Sequence, residues 1–315
     1  MAILHRAKRN LLTGYLHFFV FTSIFVLLTP FYINRLGDLI YGYWSVLNSV
    51  MAYLATLDFG LGIASTKFTA ETLAQNDKLA RSRVLSQILS LYFLIGLILI
   101  IAGSSLAFFL PDFFRLPTNA LHPAALATFL MTLNLVFTLF SKFFAGVSFG
   151  HQRQEVPNMI AVGSALLQGG FSYWFLVNGF GIVGLAVAVI IGGSFGLTLR
   201  AWYCVHKFRP IGLSFRLLSG AAWSPLLRFG GGIFIMAIGG QVILNTDNIL
   251  IGKLLNLRFV TAYSVAYLLI MAVGNIFQRI SDVFFPVLTD NYTKSDSENL
   301  RFYFMESTFI SMTGY

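Results

Sequence analysis

Charge is what this sequence has least of: 10% of its 315 residues are Asp, Glu, Lys or Arg, against about 25% in soluble domains. With 57% hydrophobic residues and a mean hydropathy of +0.77, no water-soluble core could hide the apolar surface. Acids are scarcer than bases, 12 against 21, for a formal net charge of +9. Cysteine occurs once, as Cys204, which excludes an intramolecular disulfide and a Cys-based metal cluster. The P-loop pattern G-x-x-x-x-G-K-S/T is missing, as are H-E-x-x-H and G-x-S-x-G, and the five histidines are scattered. These absences leave no expected ATP site, catalytic residue, metal centre or cofactor, and the chain reads as a non-enzyme.

What is present comes in apolar blocks of about twenty residues, the length that crosses a hydrocarbon layer as a helix. Eight such spans are expected, at about 11-33, 41-66, 84-110, 121-145, 159-177, 181-203, 229-251 and 260-287. A ninth starts near Phe302, and the chain reads as unfinished at Tyr315. Arg6, Lys8 and Arg9 precede the first run, but no small-residue cleavage site follows, so it reads as an uncleaved first helix. The bases do not form a nucleic-acid patch with stacking aromatics; they fall between the blocks. Placing the N-terminus in the cytoplasm puts 17 of them on inner segments and leaves Arg35, Arg115, Lys253 and Arg258 outside, four in all, as the positive-inside rule requires. The longest inner connection, 204-228, mixes bases with apolar residues between Pro210 and Pro225 and reads as a linker lying on the membrane surface.

Polar groups inside the spans carry the functional signal, because a charge at the bilayer centre costs about 2.5 to 3.5 kcal/mol on the insertion scale. Asp58 in the second span and Asp247 in the seventh are expected to face an interior or a hydrated cavity. For each, the alternatives are a transport role (ligand contact, ion coupling or gating pair) and a structural hydrogen bond, with Asp58 also placed to cap a helix near Gly60. Lys67 could meet an anionic headgroup or pair with Glu71 one turn on. Arg35 could guide a phosphate toward an exit or pair with Asp38. Lys142 and Arg200 are counted here only as topology charges.

Residues 29-37 (TPFYINRLG), 41-44 (YGYW), 57-62 (LDFGLG) and 64-68 (ASTKF) resemble the start of bacterial polysaccharide flippases. These are the Wzx-type O-antigen and capsule transporters of the multidrug/oligosaccharidyl-lipid/polysaccharide (MOP) superfamily. A second echo, 247-252 (DNILIG) with Tyr263 and Phe285, resembles the opening of that family's second half. The resemblance implies an all-α polytopic membrane protein with a MATE-like two-lobe helical bundle, truncated here after about eight or nine helices. It implies a six-helix lobe at 1-203, the linker at 204-228, and the start of a second lobe at 229-315. It further implies a bacterial inner-membrane carrier that moves a polyprenyl-pyrophosphate-linked oligosaccharide to the outer leaflet, with membrane lipids as surroundings, H+ or Na+ as the coupling ion, and no nucleic acid. The alternatives are an ion-coupled multidrug exporter of the same superfamily and a membrane-embedded glycosyltransferase or polymerase.

Overall fold

The computed structural model describes residues 2-208 and 223-274 and a few positions between 301 and 309. The expected linker core at 209-222, the second half of the eighth span and most of the ninth lie outside the described residues. Among those described, the secondary structure is helical, and seven helices are long and apolar enough to cross a membrane. The chain divides into two compact units, Met1–Thr261 and Ala262–Tyr315. In the second, Tyr263 and Tyr267 stack one helical turn apart, with centroids 6.0 Å apart.

Helix α1, Ala2–Ala55, joins the first two expected spans. As one straight rod its 54 residues would reach about 80 Å, against a hydrocarbon layer of about 30 Å. Gly37 resolves the conflict: at φ 76°, ψ 161° it leaves helical geometry and turns the chain. The expected loop is thus a single residue. The second arm does not run on to residue 66 either. It stops in a 3-10 turn, Thr56–Asp58, and restarts after Gly60 as α2, Leu61–Ala74. Hydropathy is continuous across this break, which is why the sequence reads as one span.

Helices α3 (Lys78–Phe113), α4 (Thr118–Gly150), α5 (Glu155–Val177), α6 (Gly181–Lys207) and α7 (Ser224–Leu254) follow the expected order. Asp77 starts α3 by accepting a hydrogen bond from the Ala80 N–H at 2.8 Å. Pro225 opens α7, where its missing N–H costs nothing. A further apolar helix, α8, spans Leu257–Gly274.

Within the first unit, α4 is the central post, packing on α2, α3 and α6, while α5 rests on α6 and α1. The α2/α4 seam is tight. A Cβ added at Gly146 would lie 2.5 Å from the Gly62 carbonyl oxygen and 2.8 Å from Ser65 Cβ, so the two backbones touch. Tyr43, Leu47, Tyr92, Leu139 and Phe143 are fully buried in this core, and the Tyr43 hydroxyl meets that of Thr128 at 2.7 Å. Large apolar side chains also cover the outside: Phe108 is 77% exposed and Leu27 74%, a surface suited to lipid tails.

Helix α7 lies along the second arm of α1 and along α2. Asn248 donates to Ser49 Oγ at 2.9 Å, Tyr53 bonds Thr246, and Phe59 stacks on Phe234 with centroids 4.4 Å apart. The same unit closes with Thr261 donating to the Asp38 carbonyl at 2.6 Å.

Candidate functional site

The break between α1 and α2 places Asp58. Two consecutive residues beyond it adopt left-handed geometry, Phe59 at φ 48° and Gly60 at φ 66°. For phenylalanine this costs on the order of 1 kcal/mol or more. Packing holds it: the Phe59 ring is stacked on Phe234, and the Ile233 side chain fills the space where a Cβ on Gly60 would sit. Asp58 accepts from the Gly60 N–H at 2.9 Å through one carboxylate oxygen and from Lys142 Nζ at 2.9 Å through the other. One carboxylate thus does two structural jobs: it caps the break and it pairs with a base 84 residues away. Its side chain is 16% exposed and that of Lys142 is 41%.

This pair sits in the wall of a cavity of about 480 Å³ between α2, α4 and α7. Gly62, Ile63, Thr66, Ala145, Gly146, Phe149 and Ile233 complete a mainly apolar lining. Lys67 is not in it. One turn further along α2, Lys67 approaches Glu71 at 3.7 Å, as expected, and lies over the Phe229 ring at 4.5 Å. Asp247 is exposed on α7, and the buried residue is its neighbour Asn248. Arg35 lies over the Phe31 ring at 5.6 Å, and none of the four ion pairs among the described residues joins it to Asp38. Of the four sequence candidates, Asp58 lines this cavity and Lys67, Asp247 and Arg35 do not.

Lys142 also borders a second, open cavity of about 320 Å³ between α1, α4, α5 and α6. His17, Asn134, Thr138, Ser141, Ser164, Gln168 and Arg200 line it, with small residues of α6, Gly192, Gly193 and Gly196, opening the space. It shares Phe21, Asn134, Ala165, Gln168 and Val189 with a further cavity of about 260 Å³ that reaches Tyr32, Trp44 and Asn48. The sequence reading missed Lys142, Arg200 and these amides. Their signal was available, since each is a polar residue inside an apolar window, but a base near a span end also satisfies topology.

Where the bases cluster, Glu155 takes contacts from two arginines, Arg9 and Arg153, and its N–H donates to Asn10 Oδ1 at 3.1 Å, fastening α5 to α1. His151, just past α4, donates from Nδ1 to the Val147 carbonyl at 2.9 Å and stacks on Phe208 with centroids 3.8 Å apart. Burial pushes its pKa below the usual 6.5; nearby Arg81 acts in the same direction and the Val147 carbonyl opposes it. No group of three or more His, Cys, Asp or Glu able to hold a metal occurs among the described residues.

The helix order and the broken second span define an all-helical, multi-pass membrane protein with the fold of the MOP-superfamily transporters. An inward-facing multidrug resistance MATE family transporter of that superfamily superposes with a TM-score of 0.75 at 16% identity, covering 93% of this chain and 68% of the other. The multidrug transporter DinF-BH, solved with R6G, gives 0.76 at 17% identity over 99% of this chain and 71% of its own. Beyond the fold, residues 14–292 match the family described as polysaccharide biosynthesis protein, and the chain belongs to that family. The membrane protein EpsK of Bacillus subtilis is 24% identical over 299 residues, 90% of this chain. The chain spans 56% of the length of EpsK.

Proposed function

We propose that this chain is the first lobe and the opening of the second lobe of a flippase, carrying a polyprenyl-pyrophosphate-linked oligosaccharide from the inner to the outer leaflet by alternating access. The observation that supports it most directly is the cleft at the α1/α2 break. A mainly apolar cavity holding one closed acid–base pair suits a cargo with a lipid tail and a charged head, and no catalytic constellation is needed for that task. Family membership supplies the polysaccharide context. On this reading residues 1-203 form the first lobe, 204-228 the surface linker and 229-315 the start of the second. The protein sits in a bacterial inner membrane with its N-terminus in the cytoplasm, and H+ or Na+ drives the cycle.

In this scheme Asp58 is the coupling or gating residue. Its carboxylate both ends the helix break and holds Lys142, so releasing Lys142 to a headgroup loosens the joint between α1 and α2. Asp247, Lys67 and Arg35 remain candidates for contacts made along the route.

The test is reconstitution of the protein in vesicles with a fluorescent polyprenyl-pyrophosphate sugar. Movement between leaflets, lost at least tenfold in Asp58→Ala, supports the proposal, as does restored surface polysaccharide in a host lacking its own flippase. Uptake of cationic dyes with no sugar-lipid movement would sink it in favour of the exporter.

A further inference from the structure

We infer that Tyr92 is a second partner for Asp58: its hydroxyl receives the carboxylate when Lys142 lets go, which makes Tyr92 a positioning residue for the gating step. The role in gating rests on the flippase reading given above; the exchange of partners does not.

Tyr92 lies on α3 and is fully buried, yet its hydroxyl has no hydrogen-bond partner among the described residues. A buried hydroxyl left unsatisfied costs its desolvation, and phenylalanine would fill the same space without that cost. The hydroxyl is therefore either a liability or a donor held for another arrangement. Its surroundings favour the second. A Cβ built on Gly62 would lie 3.6 Å from the Tyr92 hydroxyl and 3.5 Å from Lys142 Cβ, so the hydroxyl and the stem of Lys142 flank one point at the start of α2. Asp58 stands four residues before that point, and its charge reaches the hydroxyl although no hydrogen bond joins them.

The other hydroxyls near the break are spent or distant. Ser65 donates to the Leu61 carbonyl at 2.8 Å and Thr66 to the Gly62 carbonyl at 3.3 Å. Thr69, whose hydroxyl is also unpartnered, packs against Gly150 further along α2. Tyr92 thus supplies the unspent donor beside Asp58.

Packing decides which group moves. The Tyr92 ring is set against Phe140 and Phe143 of α4, with centroids 6.2 and 6.3 Å away, and has no exposed edge. Asp58 instead ends a 3-10 turn and precedes two left-handed residues, the kind of backbone found where chains switch course. Lys142, 41% exposed, has room to swing away. The lysine leaves, the carboxylate turns, and the fixed phenol receives it. A part-buried acid stripped of its base is costly; with the phenol waiting, the break has two satisfied states instead of one.

The experiment is infrared spectroscopy of the full chain in nanodiscs with isotope-labelled aspartate, the Asp58 band being assigned by its loss in Asp58→Asn. Tyr92→Phe alone should leave that band in place, and should move it by several wavenumbers when Lys142→Ala is also present. Thermal unfolding should follow the same pattern: Tyr92→Phe alone leaves Tm within about 1 °C or raises it, and on the Lys142→Ala background lowers it by about 2 °C or more. A phenol with a purely structural role would move Tm equally in both backgrounds and the band in neither. That result, or a band already shifted in Tyr92→Phe alone, overturns the exchange. If Lys142→Ala does not yield a monodisperse protein, Lys142→Met, nearer in shape, serves as the background. Movement of the sugar lipid between leaflets, expected to slow at least threefold in Tyr92→Phe, is a separate readout. If wild type moves it and Tyr92→Phe is equally fast, the gating role is lost; if wild type moves none, the flippase reading fails and the infrared comparison still decides the exchange.

Discussion

The two faces of α4 solve opposite problems. On one side Lys142 meets Asp58 across a mainly apolar cleft, and charge is closed on itself. On the other, Arg200 borders a polar cavity with no acid in its wall, and its guanidinium is held by a hydroxyl and a carbonyl instead of a carboxylate. The difference lies in how each base is placed. Lys142 is held by a carboxylate that the helix break delivers, while Arg200 finds only a hydroxyl and a carbonyl. A carboxylate fixes its base by charge as well as by a hydrogen bond; a hydroxyl and a carbonyl fix theirs by hydrogen bonds alone.

The comparison depends on α2 touching α4, so its largest test is Gly146→Val. The added carbons would meet the Gly62 carbonyl and Ser65, and overpacking of this kind costs about 2 to 3 kcal/mol. Thermal unfolding in detergent should show it, and a Tm equal to wild type would mean the seam yields freely. Next comes Lys142→Ala, which strands a carboxylate that is 16% exposed. Because the lysine itself is part-exposed, the loss should be about 1 to 2 kcal/mol. Adding Asp58→Asn should recover part of it, and a double-mutant cycle with no coupling would deny the pair any role. A smaller loss, about 1 kcal/mol, is expected from Asn248→Ala, which removes the bond to Ser49 that docks α7 beside the cleft.

The smallest effect concerns the end of α4. Burial holds the His151 pKa below 6.5 in the folded state. As pH falls through 6.5 the unfolded chain therefore takes the proton first, so stability present above that pH is lost below it. Wild type should show a shallow fall in Tm between pH 7 and pH 5 that is flatter in His151→Gln. An unchanged slope would place the sensitivity elsewhere.

Much of the fold was legible because blocks such as 84-110 and 121-145 announce themselves by length and hydropathy, and α3 and α4 contain them. The turn at Gly37 falls in the connection expected between 33 and 41, though not its length of one residue, while the break at 56-60 was not legible, since helix-forming residues continue on either side. For the site, Asp58 stood out as an acid in an apolar run. Its partner did not: the contact joins residues 84 positions apart, and nothing local to Lys142 distinguishes a paired base from one that marks topology. Asp247 shows the converse, an acid equally conspicuous in sequence whose neighbour Asn248 takes the buried place.

Gly37 has one further consequence. Two membrane arms that share a single turning residue have no slack between them. An insertion there could not bulge out as a loop; each added residue would rotate one arm by about 100° and advance it by about 1.5 Å. Tyr43 and Leu47, fully buried six and ten positions later, would swing out of register with the rest of the core. The shortest connection in the fold thus acts as its phase setting.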